Sequence, residues 1–348
     1  MSNDVKNGQC SKLIYFGYNK PVTPAKAGVQ KKHKSGGIMF QPVYIETHKK
    51  GLLKIKAEQA RKILASCVLC PRMCGVDRLS GETGVCKTGA LAMVSSYNAH
   101  FGEEAPLVGR NGSGTIFFTN CNLLCVFCQN YDISHEGLGD EVSDEQLAGI
   151  MLYLQKSGCH NINFVTPSHV VPQILSALVI AVENGLSIPL VYNTGGYDRV
   201  DTLKKLDGII DIYMPDFKFW DQDIADKACD AKDYPEAARN ALSEMFRQVG
   251  DLVVDEHGVA QRGLLVRHLV MPHGYAGTRE VICFIADKIS KNTYVNVMFQ
   301  YRPCGNAYQF KEFSSRPTER DFDEAVKAAK KEGITRLDKP RRVFTVRF

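Results

Sequence analysis

The chain has 348 residues, 44% of them hydrophobic, enough to bury one large core or two smaller ones. Its twelve cysteines, with no secretory hydrophobic segment, exclude a disulfide scaffold and point to a reducing cytoplasmic setting, and its longest apolar run, Ile174 to Val182, is too short to span a bilayer. The net charge is +5, but residues 1–38 hold seven lysines, no arginine and one acid, a net of +6 that leaves −1 for the remainder, so the body lacks the basic surface that nucleic-acid binding needs.

The opening stretch to about Gly37 contains Pro21, Pro24, Gly28 and the run Lys31-Lys32-His33-Lys34, with no sustained period. It is expected to be a disordered extension over 1–38, with Met39 as an alternative start, because a targeting peptide would be Arg-rich and amphipathic. From Lys54 to Leu69, Ile55, Ala60, Ile63, Leu64 and Val68 recur at helical spacing and predict a helix. That helix leads into Cys67-x2-Cys70-Pro-Arg-Met-Cys74, followed after glycine turns by Cys86. Four thiolates suit zinc or an auxiliary iron–sulfur cluster, and ligand softness does not separate the two; the alternative is free cysteines acting as small hydrophobes.

The run Ser113 to Thr119, β-branched and aromatic, predicts a strand. At its carboxyl end follows Cys121-Asn-Leu-Leu-Cys125-Val-Phe-Cys128. Three thiolates on a four-iron cubane leave one iron open, able to chelate the amino and carboxylate groups of S-adenosylmethionine (SAM), whereas a ferredoxin cluster is closed by a fourth cysteine. A zinc knuckle or a set of redox thiols is the alternative, but structural zinc wants four ligands and the nearest downstream one is His135.

Beyond this loop, short apolar runs at Ile162 to Val165, Ile188 to Tyr192, Ile209 to Met214, Gly263 to Val270 and Tyr294 to Phe299 alternate with helical stretches at Asp144 to Lys156, Val171 to Asn184 and Pro235 to Val249. With the strand before Cys121 this makes six β/α repeats, which predict an α/β fold with a parallel sheet: a partial (β/α)6 barrel, or alternatively a doubly wound open sheet. Asp216, Lys218 and Arg267 then fall at strand ends, as the cation and acceptors that a zwitterionic ribose-bearing cofactor requires. Of the remaining cysteines, Cys229 lies in a charged segment, Cys283 reads as a small buried hydrophobe on an apolar helix face, and Cys304 as a thiol at the cavity rim.

The three-cysteine loop resembles the signature of the radical SAM superfamily, with Phe127 where that family places an aromatic residue against the adenine. Over 39–348 the chain resembles the pyruvate formate-lyase activating enzyme homologues, specifically the PflX-like branch. The resemblance implies a radical-SAM partial barrel over 111–310, preceded by an N-terminal Cys-rich module over 39–110 and followed by a C-terminal tail, 311–348, packing on it. It also implies a 4Fe–4S cluster on Cys121, Cys125 and Cys128, and a cofactor site in which Phe127, Lys218 and Arg267 contact SAM and Asn193, Thr194, Met214 and Asp216 build a monovalent-cation site beside it. The reaction implied is reductive cleavage of SAM to a 5′-deoxyadenosyl radical for hydrogen abstraction. A one-electron donor such as flavodoxin or ferredoxin and a protein or peptide substrate would be its partners, with no nucleic acid and no membrane. The other functional class is a non-catalytic iron–sulfur or zinc protein for electron transfer or scaffolding. Where the activases carry Gly-Gly-Glu after strand two, this chain has Val165-Thr-Pro-Ser168-His169, so the cofactor amine would meet hydroxyls or carbonyls.

Overall fold

The computed structural model describes residues 40–338, and we consider the unit that runs from Gln41 onward. The expected 1–38 extension and Cys10 lie outside the described residues. Among the described residues nine strands form one sheet: β1 (Ala92–His100), β2 (Ser113–Phe118), β3 (Asp140–Val142), β4 (Ile162–Val165), β5 (Leu190–Thr194), β6 (Ile212–Pro215), β7 (Val253–Val254), β8 (Ala260–Leu269) and β9 (Tyr294–Met298). Their order is β3-β1-β2-β4-β5-β6-β8, with β7 and β9 both paired to β8. The fold is a mixed α/β fold around a central sheet.

Six strands, β2, β4, β5, β6, β8 and β9, pair in parallel in the order in which the chain makes them. A doubly wound sheet reverses its strand order at a switch point, and this run contains no reversal. Helices Asp144–Lys156, Val171–Glu183, Val200–Lys205, Tyr234–Val249 and Thr278–Phe284 lie in the five crossovers. The first of these starts at a capping box, in which the Ser143 hydroxyl accepts from the Gln146 N–H and the Gln146 side chain reaches back to the Ser143 N–H.

Period-2 alternation along these strands divides their side chains into two sets. Ile116, Phe164, Tyr192, Tyr213 and Val266 belong to the main core beneath the helices, whereas Val191, Ile212, Met214 and Leu265 form a separate apolar cluster on the other face with Leu107. The register pairs Asn193 with Met214 and Arg267 with Asn296, so these residues share that second face.

Several boundaries differ from those expected. The helix predicted over Lys54 to Leu69 is an α-helix at Leu52–Lys62 continued by a 3-10 turn at Ile63–Ser66. Its buried stripe is Leu53, Ala57, Ala60 and Leu64, and Ile55 is 48% exposed, because the helix packs on Val171–Glu183 through its small residues. Strand β1 carries no clear period in the sequence; its burial fades toward His100, and it pairs antiparallel to β2. Tyr44, Leu53, Ala57 and Ala60 share the main core with Phe313, Ala329 and Ile334 from the other end of the chain.

Candidate functional site

Cys121, Cys125 and Cys128 follow directly on β2, at the carboxyl end of the parallel strands. The turn that gathers them is tight: Asn120 and Leu124 both have left-handed backbone, at φ 71° and 56°. For non-glycine residues such conformations cost on the order of 1–3 kcal/mol each and persist only where surrounding contacts impose them. Those contacts are present. Val126 N–H donates to the Ala228 carbonyl at 2.9 Å, Asn306 N–H to the Val126 carbonyl at 2.8 Å, and the Asn122 side chain to the Tyr197 carbonyl at 2.8 Å.

Each of the three sulfurs has a hydrogen-bonding neighbour. Leu123 N–H lies 3.3 Å from Cys121 Sγ, the Cys229 thiol 3.3 Å from Cys125 Sγ, and the Ser134 hydroxyl 3.2 Å from Cys128 Sγ. Burial pushes the Cys121 thiol up to about 12 and also raises Cys128, while the contact with Cys229, then burial, raises Cys125. The metal-free thiols are thus neutral and give up protons when they ligate a metal. Three thiols that are each other's electrostatic neighbours, each supplied with a donor, fit a cluster with three protein ligands.

Strand ends farther along the sheet bring charge to these thiols. Asp216, just past β6, pairs with Lys218 at 2.5 Å and with Arg267 of β8 at 2.6 Å, and Arg267 also donates to the Asn193 side chain at 2.7 Å. Burial would raise the Asp216 pKa, but Arg267 and Lys218 outweigh it and hold the carboxyl below its ordinary value. Burial would likewise weaken the Lys218 cation, yet Asp216 and Cys125 beside it hold its pKa above the ordinary value. Tyr234 joins the two loops: its hydroxyl accepts from Lys218 N–H at 2.8 Å and lies 3.1 Å from the Gly195 and Asp216 carbonyls. Gly196 allows this closure, because its φ is +79° and a Cβ there would stand 2.1 Å from the Asp216 carbonyl oxygen.

Among the residues named from the sequence, the structure brings Asn193, Asp216, Lys218 and Arg267 into one hydrogen-bonded group beside Cys125. Met214 lies on the same face but within the apolar cluster below that group. Thr194 points the other way, into a buried network where its hydroxyl donates to Asp198 at 2.6 Å and meets Ser168 at 3.1 Å. Phe127, 5% exposed, packs among Phe219, Tyr301 and Phe313 with ring centroids 5.5–5.9 Å away. His268 and His169 are buried, which pushes both down to about 4; His268 contacts the Phe217 carbonyl and Thr278, and His169 the Thr119 carbonyl.

Sequence reasoning missed three members of this region. Cys229 ends the helix Gln222–Cys229, and only the fold places it against Cys125. Glu103 and Glu104 follow β1; Glu103 reaches Arg267 at 3.7 Å, and Glu104, whose pKa burial raises, accepts from Asn296 at 2.8 Å. No motif marks them.

The Radical SAM superfamily profile matches residues 115–257, which include all three signature cysteines, Asp216 and Lys218. An uncharacterised protein of Methanocaldococcus jannaschii is 33% identical over 296 residues, covering 82% of this chain and 81% of that protein. The chain carries a radical SAM superfamily domain. Two solved structures are also similar to it. A radical SAM methyltransferase from Sphaerobacter thermophilus aligns at TM-score 0.42 and 12% identity over 63% of this chain. HydG, a maturase of the FeFe-hydrogenase, aligns at TM-score 0.45 and 12% identity over 64% of it. The chain spans 64% and 49% of those two structures. Arg267 and the Cys67 to Cys86 segment both fall outside the span matched by the radical SAM profile.

Proposed function

We propose that this radical SAM protein is an enzyme resembling the PflX-like pyruvate formate-lyase activating homologues, built on a partial (β/α)6 barrel with an N-terminal Cys-rich module. The observation that carries this reading is the three-thiol loop at the carboxyl end of a parallel strand, with the Asp216–Lys218–Arg267 group beside Cys125. Cys121, Cys125 and Cys128 would hold a 4Fe–4S cluster, which when bound supplies the electron that cleaves SAM to methionine and a 5′-deoxyadenosyl radical.

The chain's own residues provide the setting. The Lys218 and Arg267 cations suit a carboxylate, Asp216 suits an amine or ribose hydroxyl, and the aromatic packing around Phe127 keeps water from the sulfurs. Asn193 is locked by Arg267 in a single orientation, so its amide group is positioned in advance. A cytoplasmic location, a flavodoxin or ferredoxin as electron donor, and a protein or peptide substrate belong to the same reading. No helix among the described residues is long and apolar enough to cross a membrane.

One observation favours the electron-carrier alternative. Cys229, 3.3 Å from Cys125, offers a fourth thiol that would close the cluster if it ligated iron. Anaerobic reconstitution, reduction and addition of SAM decide between the two readings. The enzyme reading expects 5′-deoxyadenosine above a Cys125→Ala control and an altered electron paramagnetic resonance (EPR) signal on adding SAM; a reduced cluster indifferent to SAM would support the carrier.

A further inference from the structure

Cys67, Cys70, Cys74 and Cys86 all line one cavity, together with Arg72, Arg78, Gly84 and His169. The chain folds back on itself there, with Cys67 N–H donating to the Val76 carbonyl and Gly75 N–H to the Cys67 carbonyl, both at 2.9 Å. Gly84 passes so close that a Cβ would stand 2.6 Å from Cys74 Sγ. As they stand, no three His, Cys, Asp or Glu side chains among the described residues meet at a point suited to one bare ion; the thiols ring a space instead.

A second observation concerns charge. Arg78 is 1% exposed, and its guanidinium donates only to the Gly89 carbonyl at 2.9 and 2.7 Å, the His169 carbonyl at 2.8 Å and Cys67 Sγ at 3.8 Å. Among the described residues no carboxylate lies within ion-pair distance of it, or of Arg72. Taking a guanidinium out of water without a counter-charge is strongly unfavourable. No carboxylate of the cavity lining provides one. Four thiolates on a divalent metal or on an iron–sulfur cluster carry net negative charge, and the Arg78 cation then has its partner.

A third observation connects this cavity to the signature loop. Arg72, between Cys70 and Cys74, donates to the Asn122 carbonyl at 3.0 Å, the Leu123 carbonyl at 3.4 Å and the Cys229 carbonyl at 2.7 Å, and also to the Asp230 carbonyl. The Asn122 side chain in turn lies on Cys70. We propose that Cys67, Cys70, Cys74 and Cys86 form a second, closed and net-anionic thiolate–metal centre, balanced by Arg78 and coupled through Arg72 to the loop that holds the first. Assembly of the second centre fixes the turn from Cys70 to Cys74. That turn carries Arg72, which holds the backbone between Cys121 and Cys125. Arg72 is a positioning residue in this scheme.

The full chain with Cys121, Cys125 and Cys128 all replaced by Ala tests the second centre whatever the chemistry at the first. Purified anaerobically, it is expected to retain either about one zinc per chain, or iron with acid-labile sulfide, and to lose it on further Cys74→Ala replacement. Arg78→Gln should weaken metal retention there by about tenfold to a hundredfold, the usual effect of losing an outer-shell partner. A folded triple variant with neither metal, or an Arg78→Gln protein that binds metal as tightly as its parent, would overturn the proposal. Should the triple variant not fold, zinc and iron are counted in the otherwise unaltered chain and in Cys74→Ser: loss of one metal complement in the variant supports the second centre, and equal content refutes it. Arg72→Ala should keep the second metal but lose iron at the first site; retention of both would refute the coupling.

Discussion

Arg267→Met removes the guanidinium at the centre of the charged group and nearly preserves side-chain length. Asp216 loses its 2.6 Å partner, Asn193 its 2.7 Å donor and Glu103 its nearest cation. Breaking one side of a buried ion pair costs about 3–5 kcal/mol, because the remaining charge stays out of water. Asp216 still has Lys218 at 2.5 Å, so the lower end applies and we expect about 3 kcal/mol. Anaerobic urea unfolding followed by far-UV circular dichroism measures it. Pairing the change with Asp216→Asn should restore part of the loss, since the uncompensated carboxylate is then gone. SAM binding should weaken about tenfold or more, through the lost charge-assisted contact, with iron content unchanged. A stability change under about 1 kcal/mol would mean that the group is solvated and contributes little, and the reasoning about its electrostatics would fail.

Cys229→Ala removes the hydrogen bond to Cys125 Sγ, and because donors to cluster sulfurs raise the potential, the reduction midpoint should fall by about 20–40 mV; an EPR-monitored titration with no fall would show that the thiol does not donate. Asp211 accepts the Val43 and Leu190 N–H groups, and burial raises its pKa to about 7, so between about pH 4 and that value the native state binds the proton more tightly than the unfolded chain. Its stabilising contribution is therefore complete at low pH and lost as pH rises through 7. Asp211→Asn turns one of the two acceptor oxygens into a donor, so it should melt below its parent at about pH 5 and by a smaller margin at about pH 8, where the parent has lost its own contribution; the same melting difference at both values would refute the assignment. Gly196→Ala forces a Cβ to 2.1 Å from the Asp216 carbonyl and should cost more than about 1 kcal/mol while separating Asp216 from Tyr234, seen as lower stability and weaker SAM binding; a neutral melt would show that the loop relaxes freely.

The parallel strands were legible because each is a short apolar run, buried on both faces, between amphipathic helices: Ile162–Val165 and Asp144–Lys156 fall where the pattern puts them. Asp216, Lys218 and Arg267 were legible for a related reason, since a parallel sheet sends every strand's carboxyl end to one side. Thr194 shows the limit. Adjacency to Asn193 implied a shared site, but alternation along β5 turns neighbours to opposite faces, and Thr194 joins Asp198 and Ser168 instead. Cys229, Glu103 and Arg78 could not be read from sequence, because their meaning lies in partners brought close only by folding. Arg78 looks like any arginine until its burial and its lack of a carboxylate are seen together.

The two ends of the strand order have a bearing on how other proteins can engage this one. At one end β3 is three residues long and begins Asp140-Glu141; at the other, β7 is only two residues long, while Arg336 and Asp338 bracket Val295 of β9, with backbone hydrogen bonds of 3.0 and 2.9 Å. A brief, charged margin and a margin already occupied by the chain's own later segment leave little backbone ladder to extend. A partner that binds by adding a strand would find no template here, and recognition must proceed through side chains. The same feature guards the chain against sheet-to-sheet growth.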